Sequence, residues 1–343
     1  GSSQYISERL QSPFGSAVHP DTGQVDEKSY TPISYLDAAG RKFTISDICR
    51  ELRASRKIIL MGEFGSGKSR CIMEVFRTLA NEGEAFPPIA INLRESYGAK
   101  KFSRLIGEHL DALGLSEFSD SVVRSIRRGQ QITLLDGFDE IGSQPWSGDA
   151  NQLREVRKRS LEGVRDYLAN CGTGGVLLTG REHYFSSDKE MAECIGKPLP
   201  EFLILKAPNE FADEELSKYL AENTTLKKIP DWVPRKPLIC QLLARLSSEE
   251  VDRLESASDG ELEFFESVFD AICARETRLN PAIYKDSLKE ILLRLAQQTR
   301  HKCSSAESIT TEEINKIFFE VTGSAPIDEA AQLLQKLPYL GRT

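Results

Sequence analysis

The chain has 343 residues, 40% of them hydrophobic and 28% charged, so a soluble protein of two or three domains is expected. Its formal net charge of −8 at pH 7 argues against a broad nucleic-acid surface, and we therefore expect nucleic acid to be an unlikely partner. No apolar run is long enough for a membrane span, and the seven scattered cysteines lack a C-x-x-C pair, which predicts no membrane partner and a reducing, cytoplasmic location.

The first 29 residues show little periodicity, and we predict a linker or lead-in that opens with an expression scar at 1–3. From residue 30 onward, short apolar runs alternate with helical patterns. This alternation indicates an α/β fold with a parallel sheet covered on both faces. The apolar runs predict five core strands at 58–61, 88–93, 131–135, 175–179 and 202–205. Beyond residue 207 the strand signals stop and helical patterns dominate, which predicts a separate helical region.

A glycine-rich loop follows the first core strand and precedes a helical pattern. Gly62, Gly67, Lys68 and Ser69 match the pattern G-x-x-x-x-G-K-[ST]. Glycines let backbone N–H groups curl around phosphates, the lysine can reach the outer phosphates, and the serine hydroxyl can bind Mg²⁺. A glycine turn in some other α/β protein is the alternative. We predict that nine consecutive residues contact the nucleotide: Gly62, Glu63, Phe64, Gly65, Ser66, Gly67, Lys68, Ser69 and Arg70.

Three carboxylates follow the third core strand, at Asp136, Asp139 and Glu140. A carboxylate at the end of a strand can hold Mg²⁺ through a water beside a phosphate loop, and Asp136 has that position. Asp139 or Glu140 could then orient or deprotonate the attacking water. The alternative is that these acids only begin a solvated loop and cap a helix.

Arg181 follows the fourth core strand, where a cation can contact the terminal phosphate of a nucleotide and report its presence. An ion pair with a surface acid such as Glu182 is the alternative. The predicted helix at 152–170 is also basic, and either a solvated face or a contact with a neighbouring subunit's nucleotide or with nucleic acid explains it. Its basic residues are Arg154, Arg157, Lys158, Arg159 and Arg165.

The order and surroundings of these motifs resemble the NACHT family of STAND-class P-loop NTPases. In that family a small residue follows the magnesium aspartate and two more acids come next, as Gly137, Asp139 and Glu140 do here. The family's sensor motif is T-S-R, and the chain has Thr-Gly-Arg at 179–181.

The resemblance implies ATP or ADP with Mg²⁺ as ligands and three domains after the lead-in at 1–29. These are a nucleotide-binding domain over 30–207, a helical domain over 208–280, and the start of an incomplete winged-helix domain over 281–343. Pro237 would contact adenine, although prolines also start helices for structural reasons alone. The family has a histidine in its winged-helix domain, and none of the four histidines of this chain lies in a matching sequence context.

The resemblance also implies a signalling switch that hydrolyses ATP slowly. ADP would hold the domains closed, and exchange for ATP would expose a surface for homo-oligomer assembly. Lys68 would bind phosphate, Ser69 and Asp136 would hold Mg²⁺, and Arg181 would sense the γ-phosphate, with Asp139 or Glu140 acting on water. Effector and sensor domains would lie outside this fragment, and relatives serve antiphage defence or innate immunity.

Two other functions stay open at this point. One is a continuously cycling AAA-type ATPase motor that acts on nucleic acid or protein, and the absence of an acid directly after Asp136 counts against it. The other is a scaffold that holds nucleotide without hydrolysis.

Overall fold

The structure is a computed structural model that describes residues 1–19, 22–83, 85–96, 98–141, 150–279, 283–301 and 311–326. The chain forms two compact units. The first comprises Gly1–His19, Gln24–Ile141 and Lys158–Asp252, and the second comprises Pro20–Gly23, Gly142–Arg157 and Arg253–Thr343.

Strands and helices alternate between residues 35 and 206, as the sequence predicts, and the described elements beyond them are helices. The strands are β1 Tyr35–Leu36, β2 Lys42–Phe43, β3 Lys57–Met61, β4 Ile89–Asn92, β5 Thr133–Asp136, β6 Val176–Gly180 and β7 Phe202–Lys206. The helices are α1 Ser2–Gln11, α2 Ile45–Arg53, α3 Lys68–Asn81, α4 Phe102–Ala112, α5 Ser119–Arg127, α6 Ala150–Ser160, α7 Glu162–Asn170, α8 Asp188–Ile195, α9 Asp213–Asn223, α10 Pro237–Leu243, α11 Ser248–Ser256, α12 Gly260–Leu279, α13 Lys285–His301 and α14 Thr311–Thr322.

The seven strands form one sheet in the order β2-β1-β7-β3-β6-β5-β4. The five strands from β7 to β4 are parallel, and the short β1 and β2 add an antiparallel edge. This confirms the predicted α/β fold with a parallel sheet, and the topology is that of a P-loop NTPase fold followed by a helical part.

Burial on both faces explains why the core strands read as continuous apolar runs. Ile58, Ile59 and Leu60 are all fully buried in β3. Because the strands are parallel, their carboxyl ends share one edge, where β3 leads into the phosphate loop. In register, Asn92 pairs with Asp136, so the ends of β4 and β5 lie side by side at this edge.

The N-terminal lead-in differs from its prediction, because residues 2–11 form helix α1 rather than an extended linker. Tyr5, Arg9 and Phe14 are buried, and the Arg9 Nε donates to the Ala90 carbonyl at 2.8 Å. Its guanidinium also lies 3.6 Å from the centre of the Phe14 ring. A charged side chain that is buried by long-range partners gives no local hydrophobic signal, which is why the sequence pattern missed this helix.

Other boundaries also shift. The predicted long helix at 152–170 is two helices, α6 and α7, and the patterns missed β2, α8 and α11. The second unit has its own core on α12–α14, built from Cys273, Ile283, Leu288, Ile291, Leu292, Leu295, Ile314, Ile317 and Phe318. Part of the predicted winged-helix region, residues 302–310 and 327–343, lies outside the described residues, so that assignment stays a prediction.

The six cysteines within the described residues are buried, and none is disulfide-bonded to another of the six. Over that same part of the chain, no helix has the length and apolar character needed to cross a membrane.

Candidate nucleotide-binding site

The glycine-rich segment forms a tight loop between β3 and α3. Gly65 and Gly67 adopt left-handed φ values of +75° and +89°, which side-chain-bearing residues rarely take. A Cβ on Gly62 would lie 2.6 Å from the Ser66 Oγ, which itself donates to the Glu63 carbonyl at 2.8 Å. The loop therefore has the curled backbone that a phosphate-binding loop requires, with the N-terminus of the 14-residue helix α3 behind it.

Lys68 folds back over this loop. Its Nζ donates to the carbonyls of Gly62 at 2.8 Å and Glu63 at 2.9 Å. Desolvation by burial lowers the pKa of Lys68, while Asp139 works in the opposite direction. An anionic ligand in the loop would offset that desolvation, because it would place negative charge against the buried ammonium group.

We call Ser69, Asp136 and Thr179 the metal corner. Asp136 is 5% exposed, and its Oδ1 accepts a hydrogen bond from the Thr179 Oγ1 at 2.5 Å. Burial raises the pKa of Asp136, and hydrogen bonds from Ser69 and Thr179 oppose that rise. Within the described residues no basic side chain forms an ion pair with Asp136, and the Thr179 hydroxyl donates the hydrogen bond that its carboxylate accepts.

These donors fit Mg²⁺. A carboxylate and a hydroxyl are hard oxygen ligands, and Mg²⁺ usually takes only one or two protein carboxylates and completes its shell with water and phosphate oxygens. Accordingly, the described part of the chain contains no cluster of three or more His, Cys, Asp or Glu side chains suited to a metal.

We call Asp139, Glu140, Arg94 and Arg181 the sensor corner. The Arg181 Nε lies 2.8 Å from the Asp139 Oδ2, and the Arg181 backbone N–H donates to the Asp139 Oδ1 at 3.2 Å. The Arg181 guanidinium also lies 6.0 Å from the ring centre of Phe64 in the phosphate loop. Glu140 pairs with Arg94 at 3.0 Å. Asp139 and Glu140 are thus each held by an arginine.

The alternative partner for Arg181 was Glu182, but that acid pairs with Lys206. Arg181 instead pairs with Asp139, across the sheet edge between the ends of β5 and β6. The predicted grouping of the phosphate loop, the acidic motif and the sensor arginine at one edge is therefore present, while the catalytic roles assigned to these residues stay predictions.

The glycine at position 180 has a packing reason. A Cβ on Gly180 would lie 2.2 Å from the nearest atom of the Phe138 ring. Phe138 is fully buried and stacks near Phe185, with ring centres 5.4 Å apart. A serine at position 180 therefore does not fit unless the Phe138 ring moves.

The segment around Pro237 touches the tip of the phosphate loop. The Leu238 N–H donates to the Gly65 carbonyl at 3.2 Å, and the Lys236 Nζ lies 3.3 Å from the Glu63 carboxylate. Pro237 occupies the first turn of α10, a position that suits proline in any helix. Its proposed adenine contact remains a prediction.

Arg70 differs from its neighbours in the predicted phosphate-binding set. Its Nε contacts Glu74 at 2.9 Å, one terminal nitrogen donates to the Lys28 carbonyl at 2.6 Å, and Asp26 lies 3.6 Å from another. The Arg70 side chain thus anchors residues 26–28, which leaves only its backbone for the nucleotide in this arrangement.

Two features of the site escaped the sequence patterns. Asn92, at the end of β4, accepts from the Gly15 N–H at 2.9 Å and donates to the Pro13 carbonyl at 3.1 Å. Ser16 then donates its backbone N–H to the Ser69 Oγ at 3.3 Å. An asparagine at a strand end is a weak signal by itself, and nothing local connects residues 13–16 with a motif 50 residues away.

Among known proteins, the chain matches no protein-family profile and no curated sequence. Three solved structures are similar in part. The Orc1 protein of Aeropyrum pernix in complex with DNA has a TM-score of 0.37 at 16% identity, covering 81% of this chain and 76% of that one. A DNA replication initiation factor has a TM-score of 0.32 at 16% identity, covering 80% of each chain. The replication initiator DnaA bound to AMPPCP and single-stranded DNA has a TM-score of 0.32 at 13% identity, covering 80% and 81%.

One expectation needs correction at this point. The net charge led us to expect nucleic acid to be an unlikely partner, and two of these three structures were solved with DNA. The exclusion was wrong because a charge summed over the whole chain does not describe any local surface. Similarity at these TM-scores and identities does not itself assign a function.

Proposed function

We propose that the chain binds a nucleoside triphosphate with Mg²⁺ and hydrolyses it. The observation that carries this proposal is the meeting of the curled loop at 62–69 with Asp136 at one sheet edge, where a single point beside Gly15 lies 2.6 Å from the Ser69 Oγ and 2.1 Å from the Asp136 Oδ2. Lys68 and the loop N–H groups would neutralise the phosphates, and Ser69 and Asp136 would hold Mg²⁺, which when bound screens the phosphate charge.

The finer proposal is a nucleotide-dependent switch of the STAND type, with ATP and ADP favouring different states. The Asp139–Arg181 ion pair supports it, because a γ-phosphate near the loop would compete with Asp139 for the arginine. ADP lacks that group and would leave the pair closed. A switch needs this differential interaction, since a ligand that contacts both states equally shifts neither.

The contact of residues 236–238 with the loop offers a route from the nucleotide to α10. Leu238 bonds to Gly65, and Lys236 pairs with Glu63, so a change in the loop reaches this helix directly. Under this proposal the chain acts as the core of a NACHT-like signalling protein that forms homo-oligomers in the cytoplasm. Antiviral defence is the process we propose for it.

A cycling AAA-type ATPase is the second candidate. The same edge geometry, with a phosphate loop on β3, an acid after β5 and an arginine after β6, serves a motor equally well. The position directly after Asp136 is Gly137, held at a φ of +82°, so a catalytic acid at that position is absent. Asp139 or Glu140 would have to activate water in either mechanism.

Steady-state ATP turnover separates these candidates. We expect purified protein to retain ADP and to hydrolyse ATP slowly, and turnover is measured with and without single- or double-stranded DNA and an unfolded protein as added ligands. Fast turnover that such a ligand stimulates at least about tenfold would support the motor instead. Bound nucleotide without turnover, even in an assembled state, would support a scaffold.

A further inference from the structure

The N-terminal strap, residues 12–18, lies directly on the metal corner. Gly15 has a left-handed φ of +49°, and a Cβ built on it would lie 2.1 Å from the Asp136 Oδ2 and 2.6 Å from the Ser69 Oγ. The backbone of Gly15 thus passes immediately beside both oxygens that would hold Mg²⁺. Only glycine permits this approach, for reasons of both space and φ.

Hydrogen bonds hold the strap in this position. Asn92 binds it from both sides, since it accepts from the Gly15 N–H and donates to the Pro13 carbonyl. The Ser16 N–H donates to the Ser69 Oγ at 3.3 Å, and the two serine hydroxyls lie 3.4 Å apart. Phe14 anchors the strap, because it is fully buried and its ring centre lies 5.4 Å from that of Phe76 on α3.

The strap backbone lies in the space beside Ser69 and Asp136 that a hydrated cation would need. Magnesium binds oxygen at about 2.0–2.1 Å and usually keeps several waters, so it needs open space beside the Ser69 Oγ and the Asp136 Oδ2. The point that a Gly15 Cβ would occupy lies 2.1 Å from the Asp136 Oδ2, which is a magnesium–oxygen distance, and 2.6 Å from the Ser69 Oγ, and the Gly15 Cα lies one covalent bond from it. The strap backbone and a hydrated ion would therefore compete for one volume.

We propose that the strap is a magnesium-responsive latch: Gly15 and Ser16 cover Ser69 and Asp136, and Mg²⁺–nucleotide displaces them. This inference rests on the proposed function, because it assumes that the loop binds nucleotide. Release of the strap would expose the buried residues of α1 and of the strap itself only when metal and nucleotide are both present. The first 18 residues would thus report occupancy of the site.

Hydrogen–deuterium exchange of the full chain tests the latch without any variant. In the presence of ADP, we expect amides of residues 12–18 to exchange faster with Mg²⁺ than with EDTA, because the Gly15 and Ser16 N–H groups lose their acceptors. Exchange that stays equal or slows on addition of Mg²⁺ would overturn the proposal.

Gly15→Ala provides the second test. An added methyl group collides with Asp136 and Ser69 and lifts the strap, so the metal no longer competes with it. We expect the Mg²⁺ concentration that half-saturates fluorescent ADP binding to fall about tenfold, the effect of removing a closed state held by roughly two net hydrogen bonds. ADP affinity in EDTA should stay unchanged. The matched control is Gly40→Ala, which has the same backbone strain at a φ of +77° but no neighbour within 4 Å.

The possible outcomes distinguish a failure of the latch from a failure of the proposed nucleotide binding. If wild-type protein binds ADP in a Mg²⁺-dependent way, yet Gly15→Ala behaves like Gly40→Ala, the latch is wrong and the proposed function survives. A higher half-saturating Mg²⁺ concentration in Gly15→Ala than in the wild type would mean that the strap supports the metal site, which also overturns the latch. No ADP binding in either condition would refute the proposed function and the latch together.

Discussion

At the metal corner the buried acid has no ion-pair partner among the described residues, whereas at the sensor corner each acid pairs with an arginine. Asp136 accepts a hydrogen bond from the Thr179 hydroxyl, while Asp139 pairs with Arg181. A buried carboxylate without a cation pays a desolvation cost, which the raised pKa of Asp136 reflects. The contrast indicates that the negative charge of the metal corner suits a bound cation, whereas the acids of the sensor corner are already neutralised by arginines of the chain.

The largest expected effect is that of Lys68→Ala. Its ammonium group donates to two loop carbonyls and would turn to the phosphates, so its loss should weaken ADP binding at least about a hundredfold. Isothermal titration in Mg²⁺ buffer measures this. Lys236→Ala is the control, because the ammonium group of that lysine pairs with the Glu63 side chain and not with the loop carbonyls. Equal affinity losses in the two variants would contradict the assigned role.

Gly180→Ala tests how tightly the Phe138 ring is packed between the two corners. Gly180 stands between Thr179 of the metal corner and Arg181 of the sensor corner, and a methyl group added to it collides with the Phe138 ring. We expect a loss of about 1–3 kcal/mol in the free energy of unfolding, measured by chemical denaturation. Gly107→Ala in α4, where the nearest atom is 3.6 Å away, should be neutral or slightly stabilising. A stable Gly180→Ala protein would show that the Phe138 ring has room to move.

Asp136→Asn tests whether the buried, unpaired charge of Asp136 destabilises the protein. Without metal or nucleotide at pH 7, we expect the variant to have a higher Tm, by roughly 2–4 °C for each kcal/mol of relieved desolvation. Because the folded-state pKa of Asp136 is raised, the penalty is absent below the ordinary aspartate pKa of about 3.9 and develops as the pH rises through the folded-state pKa. The gain in Tm should therefore shrink as the pH falls toward 4. A gain independent of pH, or a lower Tm at pH 7, would reject this account.

The smallest expected effect belongs to the sensor pair. A double-mutant cycle on Asp139→Asn and Arg181→Ala should give a coupling of about 1 kcal/mol in unfolding free energy, since Asp139 is buried and its carboxylate pairs with the Arg181 guanidinium at 2.8 Å. The more exposed Arg94–Glu140 pair should give less than about 0.5 kcal/mol. Zero coupling between Asp139 and Arg181 would remove the basis for competition with a γ-phosphate.

The sequence predicted the parts of the site that lie within one local motif. The loop at 62–69 and Asp136 each follow a buried strand, and parallel strands necessarily bring their carboxyl ends to one edge. Asp139 and Arg181 were predicted as site residues, but their mutual ion pair depends on the spacing of β5 and β6, which no local pattern encodes.

The parts that the sequence missed depend on contacts between distant residues. Helix α1 has few apolar residues and is held by Arg9 reaching the Ala90 carbonyl, 81 positions away. Gly15 is important only because Asn92 and Ser69 lie beside it. A glycine in a polar lead-in has many possible causes, so its role becomes visible only when the fold places it against the metal corner.

The most direct test of the central claim is native mass spectrometry of the purified full chain, followed by identification of any released nucleotide. The account predicts one ADP or ATP per chain, retained with Mg²⁺ and lost when Lys68 is replaced by alanine. Wild-type protein that carries no nucleotide, and binds none when millimolar ATP and Mg²⁺ are added, would contradict it.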